Sequence, residues 1–236
     1  RRILYLIPLL LTMLVIPLAR LDRIGNIGAA TKELTDMPRL DYLFTQFKVI
    51  VTYIRLLFLP INQNLDYDYP VYHSFLNPNV FLSSLFLLSI FSLGIYLLYR
   101  SRLTKDDRQQ TMDESSVISR PSSLVLRLVA FGIFWFFITL SVESSIIPIR
   151  DIIFEHRLYL PSVGVFIAIT TSVFILASKL KRKWPQIEKT VIPVLALILI
   201  VFSGATYARN IVWQDEVTLW EDVVKKSPVK ARGYYN

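Results

Sequence analysis

The sequence predicts an all-α, polytopic helical membrane protein with about five spans, an interfacial helix and a C-terminal amphipathic helix. Three observations point there. The apolar residues come in blocks of near bilayer-crossing length, roughly 20 residues each. Basic residues gather where those blocks end. Without water to satisfy the backbone, each block must be a helix. Composition alone, 53% hydrophobic with a mean hydropathy of +0.47, does not decide the class, because soluble domains have nearly as large an apolar fraction.

Ile3–Ala19 is the first expected span, with Arg1 and Arg2 before it and Arg20 and Arg23 after. No small-residue cleavage site follows, so a signal peptide is not the reading. With no initiator Met, the chain reads as a piece of something longer. Pro8 and Pro17 are tolerable where neighbouring helices re-satisfy the backbone. Leu21–Arg39, with Gly25, Gly28 and Pro38, reads as a loop.

In Asp41–Pro60 the polar Thr45, Lys48, Thr52 and Arg55 fall three or four apart, opposite Leu43, Phe47, Ile50, Ile54 and Phe58. A span would bury Lys48 near its middle, so a helix lying in the interface is expected. The alternative is a span that turns Lys48 and Arg55 to the bundle interior. Asn62–Pro78 is aromatic and acidic. Asp66 and Asp68 among tyrosines suit sugar contacts or a divalent cation, since Tyr offers an apolar face and a polar tip. They equally suit a turn-rich connector with a Tyr belt.

Val80–Tyr99 is an uninterrupted apolar span. Arg100, Arg102, Lys105 and Arg108 follow at once and place that end in the cytoplasm. Lys105–Pro121 is polar and Ser-rich and reads as a flexible loop. Leu124–Leu140 returns, Arg127 snorkelling to the inner surface. Ser162–Ala177 crosses inward to Lys179, Lys181, Arg182 and Lys183, and Val191–Tyr207 crosses outward. The two strongest basic clusters thus fall in alternate loops, giving N-terminus in and C-terminus out. Beyond the last span, Trp213, Val217, Trp220 and Val224 recur at i, i+4, i+7 and i+11, an amphipathic helix ending near Pro228. The division is a membrane domain, 1–208, and the start of an extracytoplasmic helical region, 209–236.

Between the third and fourth spans, Glu143–Gly164 collects Glu143, Arg150, Asp151, Glu155, His156, Arg157 and Tyr159, in a chain only 19% charged. Ionisable groups beside a bilayer are costly to desolvate, so such a cluster is a candidate site. The competing reading is an interfacial connector whose Arg and Tyr anchor depth. A net charge of +8 does not mean nucleic acid, because the basic residues are distributed over span ends. No cysteine is present, which excludes disulfides, thiolate nucleophiles and Cys-based metal sites. His73 and His156 lack a metal-ligand spacing, and no cofactor is identified.

Two motifs carry a family resemblance. Glu155-His-Arg-Leu-Tyr-Leu-Pro-Ser-Val-Gly164 resembles the Glu-Arg-x-Leu-Tyr-Leu-Pro-Ser-x-Gly signature of the transmembrane and tetratricopeptide-repeat (TMTC) proteins and their bacterial relatives. Arg209-Asn-x-x-Trp-x-Asp-Glu-x-x-Leu-Trp220, with Lys226-Ser-Pro-x-x-Ala-x-x-x-Tyr-Asn236, is similar to their passage from last membrane helix into first repeat. The segment ending Leu59-Pro-Ile-Asn-Gln-Asn64 also looks like theirs. One departure stands out: His156 occupies the place where animal members have Arg, and Arg157 comes one position later. Glu155 is therefore the safer carry-over.

The resemblance implies part of a GT-C type glycosyltransferase of a bacterial inner membrane. Such an enzyme moves a sugar from a polyprenyl-phosphate carrier to an extracytoplasmic acceptor, protein included. It further implies that the main catalytic carboxylate lies in an upstream loop, so that this chain is the C-terminal half of the membrane domain. Within the chain, a leaving lipid phosphate calls for a cation, and Arg150 and Arg157 are the candidates. Glu143 and Glu155 are candidate acids, bases or orienting groups, and His156 a proton shuttle. Tyr159 would stack on a sugar or sit in the belt. The competing expectation for Glu155 and Arg157 is an ion pair that fixes the loop. The competing function is a non-catalytic membrane anchor presenting a repeat array. A transporter ranks below both, because no inverted repeat or pair of broken helices is visible.

Overall fold

The computed structural model describes residues 37–110, 123–142, 144, 148–149, 151–181, 183–184 and 186–235. The expected first span, Ile3–Ala19, lies outside them, as do nearly all of Leu21–Arg39 and the two site candidates Glu143 and Arg150. Among the described residues all regular structure is helical. The helices are α1 (Arg39–Phe58), α2 (Pro78–Gln110), α3 (Ser123–Ser141), α4 (Tyr159–Leu180), α5 (Ile187–Val212), α6 (Glu216–Lys226) and α7 (Arg232–Tyr235), with a 3-10 turn at Glu155–Leu158 just before α4.

Four of these helical stretches are long and apolar enough to cross a membrane: Pro78–Leu103, Ser123–Ser141, Glu155–Leu180 and Lys189–Val212. Each contains a span expected from sequence and overruns it, because a helix persists past the apolar block while its residues favour helix. The clearest case is α2, which continues to Gln110 where a flexible loop was expected from Lys105. Lys, Arg and Gln are good helix formers, so leaving the apolar phase gives no reason to unwind.

The helices alternate in direction. Arg127 Nε at the start of α3 reaches Ser101 Oγ near the end of the α2 span, at 3.4 Å. Trp135 Nε1 of α3 donates to the carbonyl of Leu160 at the start of α4, at 3.0 Å. The N-terminus of α2, the C-terminus of α3, the N-terminus of α4 and the C-terminus of α5 therefore share one end. Arg100, Arg102, Lys179, Lys181 and Lys183 mark the other.

The most extensive helix contact is α3 on α4, and its closeness has a cause. A Cβ on Gly132 would lie 2.3 Å from the Gly164 carbonyl, and one on Gly164 would lie 2.5 Å from the Gly132 carbonyl. Only glycine lets the two backbones approach so far, the small-residue logic of membrane helix packing. On the other face of α3, Phe91 of α2 meets Phe134 and Phe137 edge-to-face, centroids 5.3 and 5.5 Å apart. By contrast α5 leaves Ile192, Leu197, Leu199 and Ile200 exposed, the apolar surface that a helix shows to lipid.

The buried face of α1 is Tyr42, Thr45, Gln46, Val49, Tyr53 and Leu56, not the Leu43–Phe58 stripe. Phe58 is exposed, while Thr45, from the polar stripe, is fully buried. The reason is chemical: besides helices, two irregular segments meet this face, the Tyr72 N–H donating to Thr45 Oγ1 at 3.0 Å and the Ile152 carbonyl accepting from Gln46 Nε2 at 3.1 Å, and irregular backbone needs hydrogen-bonding side chains. Helix α1 is not among the four stretches that meet the length and hydropathy of a span. In α6 the buried residue is Val223, and Trp213 and Val217 of the expected stripe are exposed. Asp215 caps this helix, its carboxylate accepting from the Thr218 N–H.

Candidate functional site

The segment leading into α4 is extended at Phe154, turns once as 3-10 helix through Glu155–Leu158 and passes straight into α4. An irregular stretch beside the apolar helices must have its backbone satisfied from outside. Gln46 Nε2 donates to the Ile152 carbonyl at 3.1 Å, and the Phe154 N–H donates to the Tyr53 hydroxyl at 3.0 Å. Ile153 and Leu158 close a core with Val49, Tyr53, Leu56, Phe136 and Leu140. Pro161 sits in the first turn of α4, where its missing N–H has no helical partner to lose.

This turn forms one wall of a cavity of about 310 Å³. Thr139, Leu140 and Val142, at the end of α3, form the opposite wall. His156, Arg157, Tyr159, Leu160 and Pro161 come from the turn and α4. Arg157 is 9% exposed, and its guanidinium lies over the Phe154 ring at 5.3 Å, a cation–π contact. His156 is exposed, its ring 5.0 Å from that of Phe154. Tyr159 is 84% exposed. The cavity thus joins mostly apolar walls to one nearly buried cation, an arrangement suited to an amphiphilic anion.

Three of the sequence-predicted residues, His156, Arg157 and Tyr159, come together on this cavity. Glu155 stands beside them but turns away. Its Oε1 accepts from the Asn64 N–H at 2.7 Å and from the Tyr67 hydroxyl at 2.5 Å. Burial first, then the hydrogen bond to Glu155 and its charge, push the Tyr67 phenol far above the ordinary range.

Asp66 and Asp68 belong to a different cluster. Asp66 is 5% exposed and lies 3.4 Å from Lys230 Nζ and 3.7 Å from Arg232 Nη1. Arg232 also pairs with Asp151 at 3.4 Å. Asp68 is exposed, and its backbone N–H donates to Ser227 Oγ at 3.0 Å. Asn64 Nδ2 donates to the same Ser227 Oγ at 2.8 Å and to the Asp66 carbonyl at 3.0 Å. The loop around Asn64 is therefore a hub between the cavity turn and the C-terminal helices. Asn62 starts it with a left-handed φ of 55°, which Asn tolerates better than most residues.

A second tie lies nearby. Arg209 Nη1, at the end of α5, meets Asp222 Oδ2 of α6 at 2.6 Å, and Lys226 Nζ meets Asp222 Oδ1 at 2.7 Å. Burial opposes ionisation of Asp222, but hydrogen bonds from Lys226 and Arg209 outweigh it and pull the carboxyl below its usual value. Among the described residues no three His, Cys, Asp or Glu side chains converge as a metal site. The cations that Asp66 meets are Lys230 and Arg232.

Sequence reasoning missed Gln46, Tyr53, Lys230 and Arg232, and it met Asn64, Tyr67 and Ser227 only as members of longer stretches, without these roles. Each acts through a partner distant in the chain, so no local spacing marks it. The Lys-Ser-Pro motif holds Lys226 and Ser227, and it was the signal that pointed to the end of α6. No protein-family model, curated protein or solved structure matches the chain.

Proposed function

We propose that the chain is part of a membrane glycosyltransferase that moves a sugar from a polyprenyl-phosphate carrier to an acceptor, a protein in the first instance, outside the cytoplasm. The observation that carries this reading is Arg157: a nearly buried guanidinium on the wall of an otherwise mostly apolar cavity. A lipid phosphate matches both properties, since its tail is apolar and its head accepts charge-assisted hydrogen bonds. The resemblance of Glu155–Gly164 to the TMTC signature supports it, because those residues build the wall. The basic clusters at the far end of the bundle support, by the positive-inside rule, a cavity on the non-cytoplasmic side; in this reading the membrane is a bacterial inner membrane.

In this reading the acceptor hydroxyl oxygen attacks the anomeric carbon of the sugar. The bond from that carbon to the phosphate oxygen breaks, and the polyprenyl phosphate leaves with one more negative charge. Arg157 stabilises that charge as it develops. Tyr159, exposed at the mouth, offers its ring to the sugar. The hydroxyl proton passes to a base. The resemblance places the main carboxylate for this upstream of the chain, and His156 is the proton-transfer group of the cavity wall.

The test is binding and transfer by the full-length protein in lipid nanodiscs, with an undecaprenyl-phosphate sugar. Arg157→Ala should weaken binding by about 30-fold or more, the loss of a charge-assisted contact made away from water. Wild-type affinity in that variant would remove the cavity from the reaction.

A second reading is favoured by the hub around Asn64: a scaffold that mounts a repeat array rigidly on the membrane part. Asp66, Asp151, Lys230 and Arg232 are arranged for mounting. Normal display of the array together with no transfer from any polyprenyl-phosphate sugar would select it.

A further inference from the structure

We propose that Glu155 is a positioning residue. It fixes the turn that carries His156 and Arg157 onto the cavity, and α6 sets how firmly it does so, through Ser227. The proposal rests on the phosphate reading only for its binding readout.

The argument starts from what Glu155 does. Its Oε1 accepts two hydrogen bonds, from the Asn64 N–H at 2.7 Å and the Tyr67 hydroxyl at 2.5 Å. These donors stand 91 and 88 positions away in sequence, so the bonds tie the first residue of the 3-10 turn to a separate part of the fold. Two residues on, Arg157 lines the cavity, and its N–H closes the turn on the Phe154 carbonyl at 3.3 Å. Moving the Glu155 backbone moves that guanidinium. A displacement of about 1 Å at a reacting group can cost two orders of magnitude.

The donor loop is in turn held by the C-terminal segment. Ser227 Oγ accepts from Asn64 Nδ2 at 2.8 Å and from the Asp68 N–H at 3.0 Å, and Lys226 Nζ donates to the Gln63 carbonyl at 2.6 Å. Asn64 is 4% exposed and Ser227 2%, so water does not replace a lost bond and its absence is felt in full. The contacts run without a gap from α6 through Asn64 to Glu155 and on to the cavity turn. A helical region attached after α6 would therefore act on the cavity mechanically, from outside the membrane part.

A positioning acceptor and a proton-transfer carboxylate are told apart by the Gln substitution. Gln keeps a side-chain oxygen that accepts both bonds; Ala keeps none. A group that takes or gives a proton is lost in both.

The experiment uses the full-length protein in nanodiscs and two readouts. One is hydrogen exchange of Ile152–Leu158 without ligand; the other is affinity for undecaprenyl phosphate. Glu155→Ala should speed exchange and weaken binding by about tenfold or more each, the loss of two part-buried hydrogen bonds to a carboxylate. Glu155→Gln should restore both to within about threefold of wild type. Ser227→Ala should shift both in the same direction as Glu155→Ala by about threefold. If Glu155→Ala does not fold, Tyr67→Phe removes one of the two bonds at nearly constant shape and should give the same signs. Glu155→Gln as damaging as Glu155→Ala would overturn the positioning role, as would unchanged exchange in Glu155→Ala. Unchanged values in Ser227→Ala would sever α6 from the cavity. Failure of the wild-type protein to bind the probe would end the phosphate reading alone, since the exchange measurements still decide the role of Glu155.

Discussion

The hydroxyl of Tyr53 accepts a hydrogen bond from the backbone N–H of Phe154 at 3.0 Å, 101 positions along the chain. Tyr53 is fully buried and Phe154 half-buried, so the bond is largely shielded from water. It locks α1 to the extended residue from which the cavity turn springs. Tyr53→Phe keeps the ring and strands that N–H, and should cost about 1–3 kcal/mol of stability. Thermal unfolding in detergent measures this. An unshifted transition would mean that the amide finds another acceptor.

The approach of α3 to α4 makes a sharper prediction. Any side chain at Gly132 meets the Gly164 carbonyl at 2.3 Å and Ala168 at 2.9 Å, both on a packed helix. Gly132→Ala should therefore destabilise by about 1–3 kcal/mol, the usual cost of overpacking. Gly204, in α5, has nothing within 4 Å of its would-be Cβ. Gly204→Ala should be neutral or gain up to about 1 kcal/mol from helix propensity. Equal effects of the two substitutions would contradict the described packing.

Arg232 bridges Asp66 and Asp151 at 3.7 and 3.4 Å, and Lys230 adds a second cation to Asp66 at 3.4 Å. Asp66→Ala removes the buried member of this set and should release α7 from the loop. The stability loss should be about 1–3 kcal/mol, less than for a fully buried pair, because Lys230 and Arg232 are more than a third exposed. Limited proteolysis after Lys230 or Arg232 reads it directly. Cleavage no faster than in wild type would show that these pairs do not hold the segment.

The tyrosines of the Asn62–Pro78 loop set an alkaline limit. Burial, above all, pushes the Tyr69 phenol up to about 12, against the hydrogen bond with Thr52 that lowers it; Tyr67 is raised as well. A phenol with a folded pKa above its unfolded value holds its proton more tightly when folded. Its contribution is complete below the unfolded value of 10.0 and is lost as pH rises through the folded one. Stability should fall from about pH 10 towards pH 12, in step with tyrosinate absorbance. Tyr69→Phe should flatten that fall, and a flat wild-type profile over the same window would contradict the burial of these phenols.

Sequence and structure divide the protein along a physical line. The four described spans were legible because a helix satisfies its backbone within its own segment, and in lipid an apolar run has no other solution. The basic clusters at their ends were legible for the same local reason. So was the gathering of His156, Arg157 and Tyr159, which are neighbours in sequence. What Glu155 holds was not legible. Its partners Asn64 and Tyr67 lie some ninety positions upstream, and spacing carries no information about a contact made across the fold. The face that α1 turns into the protein was not legible for a related reason. Periodicity shows which residues share a side, but the hydrogen-bonding needs of the neighbouring segment decided which side turned inward. Local chemistry in the chain marks the four helices long and apolar enough to cross a membrane and the residues at their ends; which of those residues face the cavity and which hold the loop is settled by folding, because that choice is made by partners the chain brings together from far apart.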